Sequence, residues 1–320
     1  MIKVGIIGAE KDDAGELLRI LLNHPETEIT SLYSPSYAGR RVSACHHGFL
    51  GEDIVNFSDR IDLSRLDVVF LVDDSEMSRE VLTHSEEYPN LRIIDLSPSR
   101  MENLDAFGME YGLSEANRKP LVRGARIAAV PSSVAALTLL ALHPLAIHLM
   151  LSSDIEIIAG VPARIAKSID TDKAGKEIAR MLSKTQTSFA GKVNVRIVPT
   201  DLDRTIRVRT TIKCPLSIAE VDKVFESVYD DHNFVFTNLS GTDSVEVEGT
   251  HKCVVSFGKP SAGLLELESV GDVHMRGGAG DAVHVLNLFF ALDEKVGLRL
   301  KPSKFLRDEN DTSLPASWFA

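Results

Sequence analysis

The chain opens with an apolar run, a glycine and an amphipathic run, MIKVGIIGAEKDDAGELLRILLNHPE. Ile2 to Ile7 have the continuous apolar character of a strand covered on both faces, and Gly8 ends it. Ala14, Leu17, Leu18 and Leu21 then recur at i, i+3, i+4 and i+7, one face of a helix. The alternation continues to about residue 130, with strands expected at 28–33, 67–72, 91–96 and 126–130 and helices at 14–23 and near 76–86. Strands separated by helices pair in parallel through crossovers, so this half reads as a doubly wound α/β sheet with helices on its faces. In such a sheet the glycine turn after the first strand normally receives a dinucleotide pyrophosphate on the helix N-terminus. Here that turn carries three carboxylates, Glu10, Asp12 and Asp13.

After about residue 150 the pattern changes. VNVRIVPT (193–200) and TIRVRTTIKC (205–214) alternate apolar and polar residues, as half-exposed antiparallel strands do. A helix is expected at 218–230, with Ile218, Val221, Val224, Phe225 and Val228 on one face, and strands at 244–257 and 264–270. RGGAGDAVHVLNLFFALDE then supplies a glycine turn leading into an apolar helix. The change of pattern alone puts a boundary near 132.

A length of 320 residues with 44% hydrophobic content allows about two domains with their own cores. A net charge of −11 argues against nucleic acid or an anionic membrane surface as the main partner. The longest apolar stretch, 134–151, is interrupted by His143, Pro144 and His148 and reads as a buried helix, not a membrane span. Cys45, Cys214 and Cys253 are dispersed and form no CxxC pair, which fits a reducing, cytoplasmic location and argues against disulfides or zinc. No signal peptide is expected before the first strand. His46 and His47 lack further ligands at metal-binding spacing beyond Cys45, so no metal is expected. Trp318 and Phe319, at the end of a polar tail, suit docking on a neighbour or on the protein's own surface.

Five stretches carry a family likeness: AGELLRILLNHPETEI (14–29), SPSYAGRRVS (34–43), IIDLSPSR (93–100), YGLSEANR (111–118) and GGAGDAVHVLNLFFALDE (277–294). In order and spacing they resemble the N-acetyl-gamma-glutamyl-phosphate reductase family, relatives of aspartate-semialdehyde dehydrogenase. The likeness covers most of residues 1–150 and 271–298. It implies a Rossmann-like dinucleotide-binding domain, 1–131 plus about 276–320, and a catalytic and oligomerisation α+β domain, 132–275, with a largely antiparallel sheet. It also implies NADPH-dependent reduction of an acyl phosphate to a semialdehyde in arginine biosynthesis, and a homo-oligomer. The family uses a cysteine at a helix N-terminus as nucleophile, where its thiolate is stabilised, and a histidine as acid/base.

Position by position the chemistry transfers poorly. The family's asparagine-proline-glycine-cysteine aligns with Val130, Pro131, Ser132 and Ser133, placing Ser133 at the nucleophile position. A lone serine is protonated at neutral pH and needs a base. His143, the nearest histidine in sequence, lies ten residues on, about 15 Å along the same helix. Alternatively, Ser132 and Ser133 simply cap that helix. The stretch matching the family's histidine segment, DTDKAGKEIARML (170–182), contains none. The glycine-x-x-glycine turn becomes Gly8-Ala9-Glu10-Lys11, so only Gly8 remains for the cofactor. A carboxylate about 4 Å from a phosphate charge costs on the order of 4 kcal/mol at an effective dielectric near 20. The plainer reading is a solvated acidic turn favoured by the helix dipole.

Strand 28–33 has no acidic residue at its tip to hold a ribose diol, which suits NADP better than NAD, and Arg40 and Arg41 follow as candidate 2′-phosphate ligands. Gly277 and Gly278 are further cofactor candidates, although Val273 replaces the family's nicotinamide asparagine and Arg276 replaces a lysine. Arg100, Asn117 and Arg118 match family positions that hold substrate or interface carboxylates, or else form structural ion pairs. Two readings follow. One is an active NADP-dependent semialdehyde dehydrogenase or reductase with an altered mechanism. The other is a pseudoenzyme that keeps the fold and acts on a partner or small-molecule ligand, since the substitutions cluster where the chemistry belongs.

Overall fold

In the computed structural model, which describes residues 1–302, the first strand β1 (Ile2–Ile7) buries Val4, Ile6 and Ile7 completely. It is followed by α1 (Asp12–Leu21), β2 (Thr27–Tyr33), β3 (Phe57–Ser58), β4 (Val68–Leu71), α2 (Glu76–Thr83) and β5 (Arg92–Asp95). Next come α3 (Arg100–Ala106), β6 (Glu110–Tyr111), α4 (Ser114–Val122) and β7 (Ile127–Ala129). The seven strands form one sheet in the order β3-β2-β1-β4-β5-β7-β6, every neighbouring pair parallel. Chain progression reverses between β1 and β4, which opens a crevice above their C-terminal ends. Helix α1 starts at Asp12, two residues before its apolar stripe, because Asp12 and Asp13 favour the positive end of the helix dipole. Its residues Ala14, Leu17, Leu18 and Leu21 are buried.

The second part begins with α5 (Ser133–Ile147), apolar all round and buried from Val134 to Ala146. It continues through β8 (Ile155–Pro162), α6 (Ala163–Ala166), α7 (Thr171–Thr185), β9 (Val193–Thr200), β10 (Thr205–Lys213) and α8 (Ile218–Tyr229). It ends with β11 (Val235–Thr237), β12 (Cys253–Gly258) and β13 (Leu264–Asp272). The six-stranded sheet runs β11-β12-β13-β10-β8-β9. Its inner pairs β12–β13, β13–β10 and β10–β8 are antiparallel, and its outer pairs β11–β12 and β8–β9 are parallel. Along β10, Ile206, Val208, Thr210 and Ile212 are buried, while Arg207 and Arg209 take the other face beside Glu266 and Glu268. The chain then forms α9 (Ala279–Phe289), which packs on α1 and α4. Contacts divide the described chain into one unit of Met1–Pro131 with Gly277–Arg299 and a second containing Ser132–Arg276.

The strand expected across 244–257 starts only at Cys253. Residues Ser244–Glu246 form a 3-10 turn instead, because the Asp243 side chain accepts the Val245 N–H. The buried helix expected over 134–151 ends at Ile147, and Leu149 takes a left-handed conformation (φ 58°). Among the described residues no helix is long and apolar enough to cross a membrane. Trp318 and Phe319 lie outside the described residues.

Candidate functional site

The residues singled out in the sequence fall in two places, one in each unit. In the first unit the turn after β1 lies at the crevice. Gly8 has φ +76°, and a Cβ there would sit 2.8 Å from Asp73 Cγ. Only glycine fits, but what it makes room for is the protein's own carboxylate. The Ala9 N–H donates to Tyr33 O (3.2 Å) and the Lys11 N–H to Gly8 O (3.0 Å). Two backbone donors of the turn are thus used internally. Lys11 Nζ is 3.2 Å from Glu10 Oε1, and Glu10 Oε2 is buried with no hydrogen-bond partner. A second layer closes the turn from outside. His46 Nε2 lies 2.8 Å from Ala9 O, and Cys45 Sγ donates to Glu10 O at 3.2 Å. The His46 ring packs on Gly15, where a Cβ would meet Nδ1 at 2.8 Å. Burial pushes the Cys45 thiol above its ordinary pKa; a Tyr37 hydrogen bond opposes this and the Glu10 and Asp12 charges add to it. These residues do not fit a dianionic pyrophosphate: the charge has the wrong sign, and part of the amide cradle is already bonded.

The other cofactor candidates are placed as follows. The Arg40 guanidinium lies over the Tyr37 ring, 5.6 Å from its centroid, and Arg40 and Arg41 are both exposed beyond the tip of β2. Gly277 has φ +76°, and its N–H donates to Asp281 Oδ2 at 2.6 Å. Gly278 is the N-cap of α9, and its carbonyl accepts the Ala282 N–H at 3.0 Å. This glycine turn therefore closes on Asp281, a fully buried side chain of its own helix.

The substrate candidates hold structure. Arg100 Nε donates to Val130 O (2.5 Å), Nη1 to Ser97 O (2.8 Å) and Leu96 O (3.2 Å), and Nη2 to Pro131 O (3.2 Å). It clamps the chain leaving β5 to the chain leaving β7. Asn117, whose φ of −132° breaks α4, donates to Tyr111 O (3.0 Å) and Glu110 Oε2 (3.2 Å). Arg118 Nε donates to Glu294 Oε1 at 2.6 Å, and His284 Nε2 lies 3.0 Å from Glu294 Oε2. These partners hold the Glu294 carboxyl down at about 2, the His284 hydrogen bond contributing most.

In the second unit Ser133 is the first residue of α5, and its hydroxyl donates to Val273 O at 3.0 Å. A carbonyl accepts a hydrogen bond but does not take a proton at neutral pH, so this contact activates nothing. Val273 belongs to a rigid segment after β13. Asp272, fully buried, accepts from Arg204 Nε (2.7 Å), Gly249 N (2.7 Å) and His274 N (2.9 Å). The His274 ring meets Arg164 Nη2 through Nε2 at 2.5 Å. An arginine can only donate, so Nε2 is the acceptor in this contact. Arg276 is wholly buried and donates through Nη2 to Phe234 O at 3.2 Å.

Ser132 has the richer chemistry. As N-cap of α5 its Oγ accepts the Ala135 N–H at 3.4 Å. The same hydroxyl donates to Glu177 Oε2 at 2.7 Å, and the Ser132 N–H donates to Glu177 Oε1 at 3.1 Å. Glu177 lies on α7 and is 6% exposed. The sequence leaves the capping role open between Ser132 and Ser133; the structure gives it to Ser132. Sequence reasoning misses the Ser132–Glu177 pair, the buried Asp272 and the approach of His274. The only signal is Glu177 itself, an acidic residue on the buried stripe of α7.

Residues 3–123 match the family model described as semialdehyde dehydrogenase, NAD binding domain. The N-acetyl-gamma-glutamyl-phosphate reductase of Parabacteroides distasonis is 34% identical over 324 residues, spanning 95% of this chain and all of the relative. The protein of the same name from Bacteroides thetaiotaomicron is 34% identical over 325 residues, again 95% of this chain and all of the relative. Among solved structures, aspartate semialdehyde dehydrogenase II from Vibrio cholerae, in complex with ASA, superposes with a TM-score of 0.71 at 14% identity, covering 91% of this chain and 98% of that one. Aspartate semialdehyde dehydrogenase with NADP from Candida albicans gives 0.67 at 13% identity, covering 92% and 99%. At such identities the structures speak for the fold, a parallel doubly wound sheet joined to a mixed-sheet domain.

Proposed function

The chain belongs to the N-acetyl-gamma-glutamyl-phosphate reductase family, and from that premise we propose that it is a member whose NADP(H)-dependent reduction of an acyl phosphate is lost or greatly weakened. One observation carries this. The hydroxyl at the nucleophile position, that of Ser133, has a backbone carbonyl as its hydrogen-bond acceptor, and among the described residues no base hydrogen-bonds to it. A cysteine there functions as a thiolate and needs no such base; a serine does. The cofactor side agrees, since the turn after β1 presents Glu10, and Asp73 from the segment after β4 packs against its Gly8, where a pyrophosphate requires donors. The family likeness further supports a homo-oligomer and a cytoplasmic location.

The test is direct binding of NADPH and NADP⁺ to the purified protein by calorimetry and thermal shift. A ligand at 100 times its dissociation constant stabilises by about 2.7 kcal/mol. The expected result is no heat and no shift at millimolar cofactor. Micromolar binding with acyl-phosphate-dependent NADPH oxidation overturns the proposal in favour of an active reductase with an altered mechanism.

A further inference from the structure

We propose that the reactive hydroxyl of this chain is Ser132, one residue before the family's nucleophile position, and that with Glu177 as its base it hydrolyses an acyl phosphate without a nucleotide cofactor. The substrate class rests on the proposed function, descent from enzymes acting on acyl phosphates; the identity of the nucleophile rests on geometry alone.

Three parts of an acyl-transfer site meet at the start of α5. The first is a hydroxyl donating to a carboxylate at 2.7 Å, within reach for general-base proton transfer. The second is an orienting contact: the Ser132 N–H holds the other carboxylate oxygen at 3.1 Å, which fixes Oε2 toward the hydroxyl. The third is the helix itself. α5 runs 15 residues, and the first-turn amides of Ser133 and Val134 have no intrahelical acceptor. They point donors and the positive helix end at the place where an oxyanion forms on a carbon attacked from Ser132 Oγ.

A capping role does not account for Glu177. Serine caps a helix with its own oxygen, and Ser132 does so through Ala135 at 3.4 Å. A buried carboxylate is unfavourable unless paired or hydrogen-bonded, and both oxygens of this one bind Ser132. Ser133, by contrast, points its hydrogen into the Val273 carbonyl. Against the family pattern, Ser132 stands in place of glycine and Ser133 in place of cysteine. The chain has lost a thiol and gained a based hydroxyl next to it.

The reaction balances without any redox partner. Ser132 Oγ attacks the acyl carbon, and its proton passes to Glu177. The new Oγ–C bond forms as the C–O bond to phosphorus breaks, and inorganic phosphate leaves with the electron pair. Glu177 hands that first proton to the departing phosphate and is a carboxylate again when water attacks the ester carbon; it takes the water's proton and passes it to Ser132 Oγ as that oxygen departs. The sum is acyl phosphate plus water to carboxylic acid plus phosphate.

The experiment uses the full chain with acetyl phosphate as probe, following phosphate release without nucleotide and mapping any acyl ester by peptide mass spectrometry on rapidly quenched wild-type protein. Expected are release above the buffer rate, an ester on Ser132, and a fall of about 10²-fold or more in both Ser132→Ala and Glu177→Gln. Release no faster than buffer, an ester on Ser133, or full activity in Ser132→Ala each overturns the proposal. Ester mapping needs no variant, so it decides the nucleophile even where Glu177→Gln fails to fold. Added NADPH separates the two proposals: its oxidation during turnover overturns the loss of reductase activity, whereas absent hydrolysis with no NADPH oxidation overturns only the Ser132 assignment.

Discussion

Glu294 shows how one residue's surroundings become a property measurable in solution. Its carboxyl is held at about 2, first by the His284 hydrogen bond and then by Arg118, against an ordinary value of 4.5. A folded-state pKa below the unfolded one means that the ionised form favours folding. That contribution is fully present above about pH 4.5 and is lost as the pH falls toward 2. Glu294→Gln is therefore expected to be less stable than the wild type at pH 7, with the gap closing as acid is added. Urea unfolding of both proteins at pH 7, 4 and 3 checks this; a gap that widens in acid contradicts the assignment. Asp95 titrates with the opposite sign. Burial pushes its carboxyl up despite hydrogen bonds from Ser97 and Asn103, so its contribution grows more favourable as pH falls through its folded pKa. At this scale the sequence is least informative. Ser132 and Glu177 lie 45 residues apart and Ser133 and Val273 lie 140 apart, and no local spacing rule joins such pairs.

Elements are legible where periodicity is clean. Strand β1, helix α8 and strands β9 and β10 fall within a residue of their expected limits, β1 because its apolar run is bounded by Gly8 and the others because each keeps one period along its length. Helix α4 escapes because Asn117 breaks its dihedrals and Pro120 interrupts its pattern. β3 and β6 are two residues long, too short to show any period. α7 carries a readable stripe of Ala174, Ile178, Met181 and Leu182, a signal hidden behind the family's missing histidine in the same segment. The valines of 244–257 alternate as strand residues do, yet Val245 and Val247 lie in and after the turn capped by Asp243. Where elements meet, single residues decide the geometry, and Arg100 is the clearest case. Its four carbonyl partners lie at the ends of β5 and β7. Arg100→Met takes the side-chain donor from all four oxygens, leaving only Ser97 O with the backbone N–H of residue 100, and is expected to destabilise by on the order of 3 kcal/mol, read from denaturant unfolding. If its role were substrate binding instead, stability would hardly change.

At the scale of the whole molecule, the family fold persists while two chemically separate features depart from it, one in each unit. In the first, Glu10 and Lys11 replace the phosphate-turn pattern after Gly8; in the second, Ser133 replaces the thiol. Reduction needs a bound nicotinamide and a thioester together, so restoring either alone leaves one step impossible. Ser133→Cys by itself is expected to give no NADPH oxidation with an acyl phosphate, because the carboxylate-lined turn remains. Glu10→Ala with Lys11→Gly removes the Glu10 carboxylate together with its Lys11 ion-pair partner and returns the second glycine. It is expected to raise NADPH protection in a thermal-shift titration above that of the wild type without producing turnover. The triple variant is the first in which oxidation should appear, and without the family's acid/base histidine it should run about 10²–10⁴-fold below an intact reductase. The prediction is non-additivity: two silent variants whose combination is active. Appreciable turnover from Ser133→Cys alone would show that the acidic turn admits the cofactor after all. The electrostatic argument at Glu10 would then fail, while the argument at Ser133 would stand.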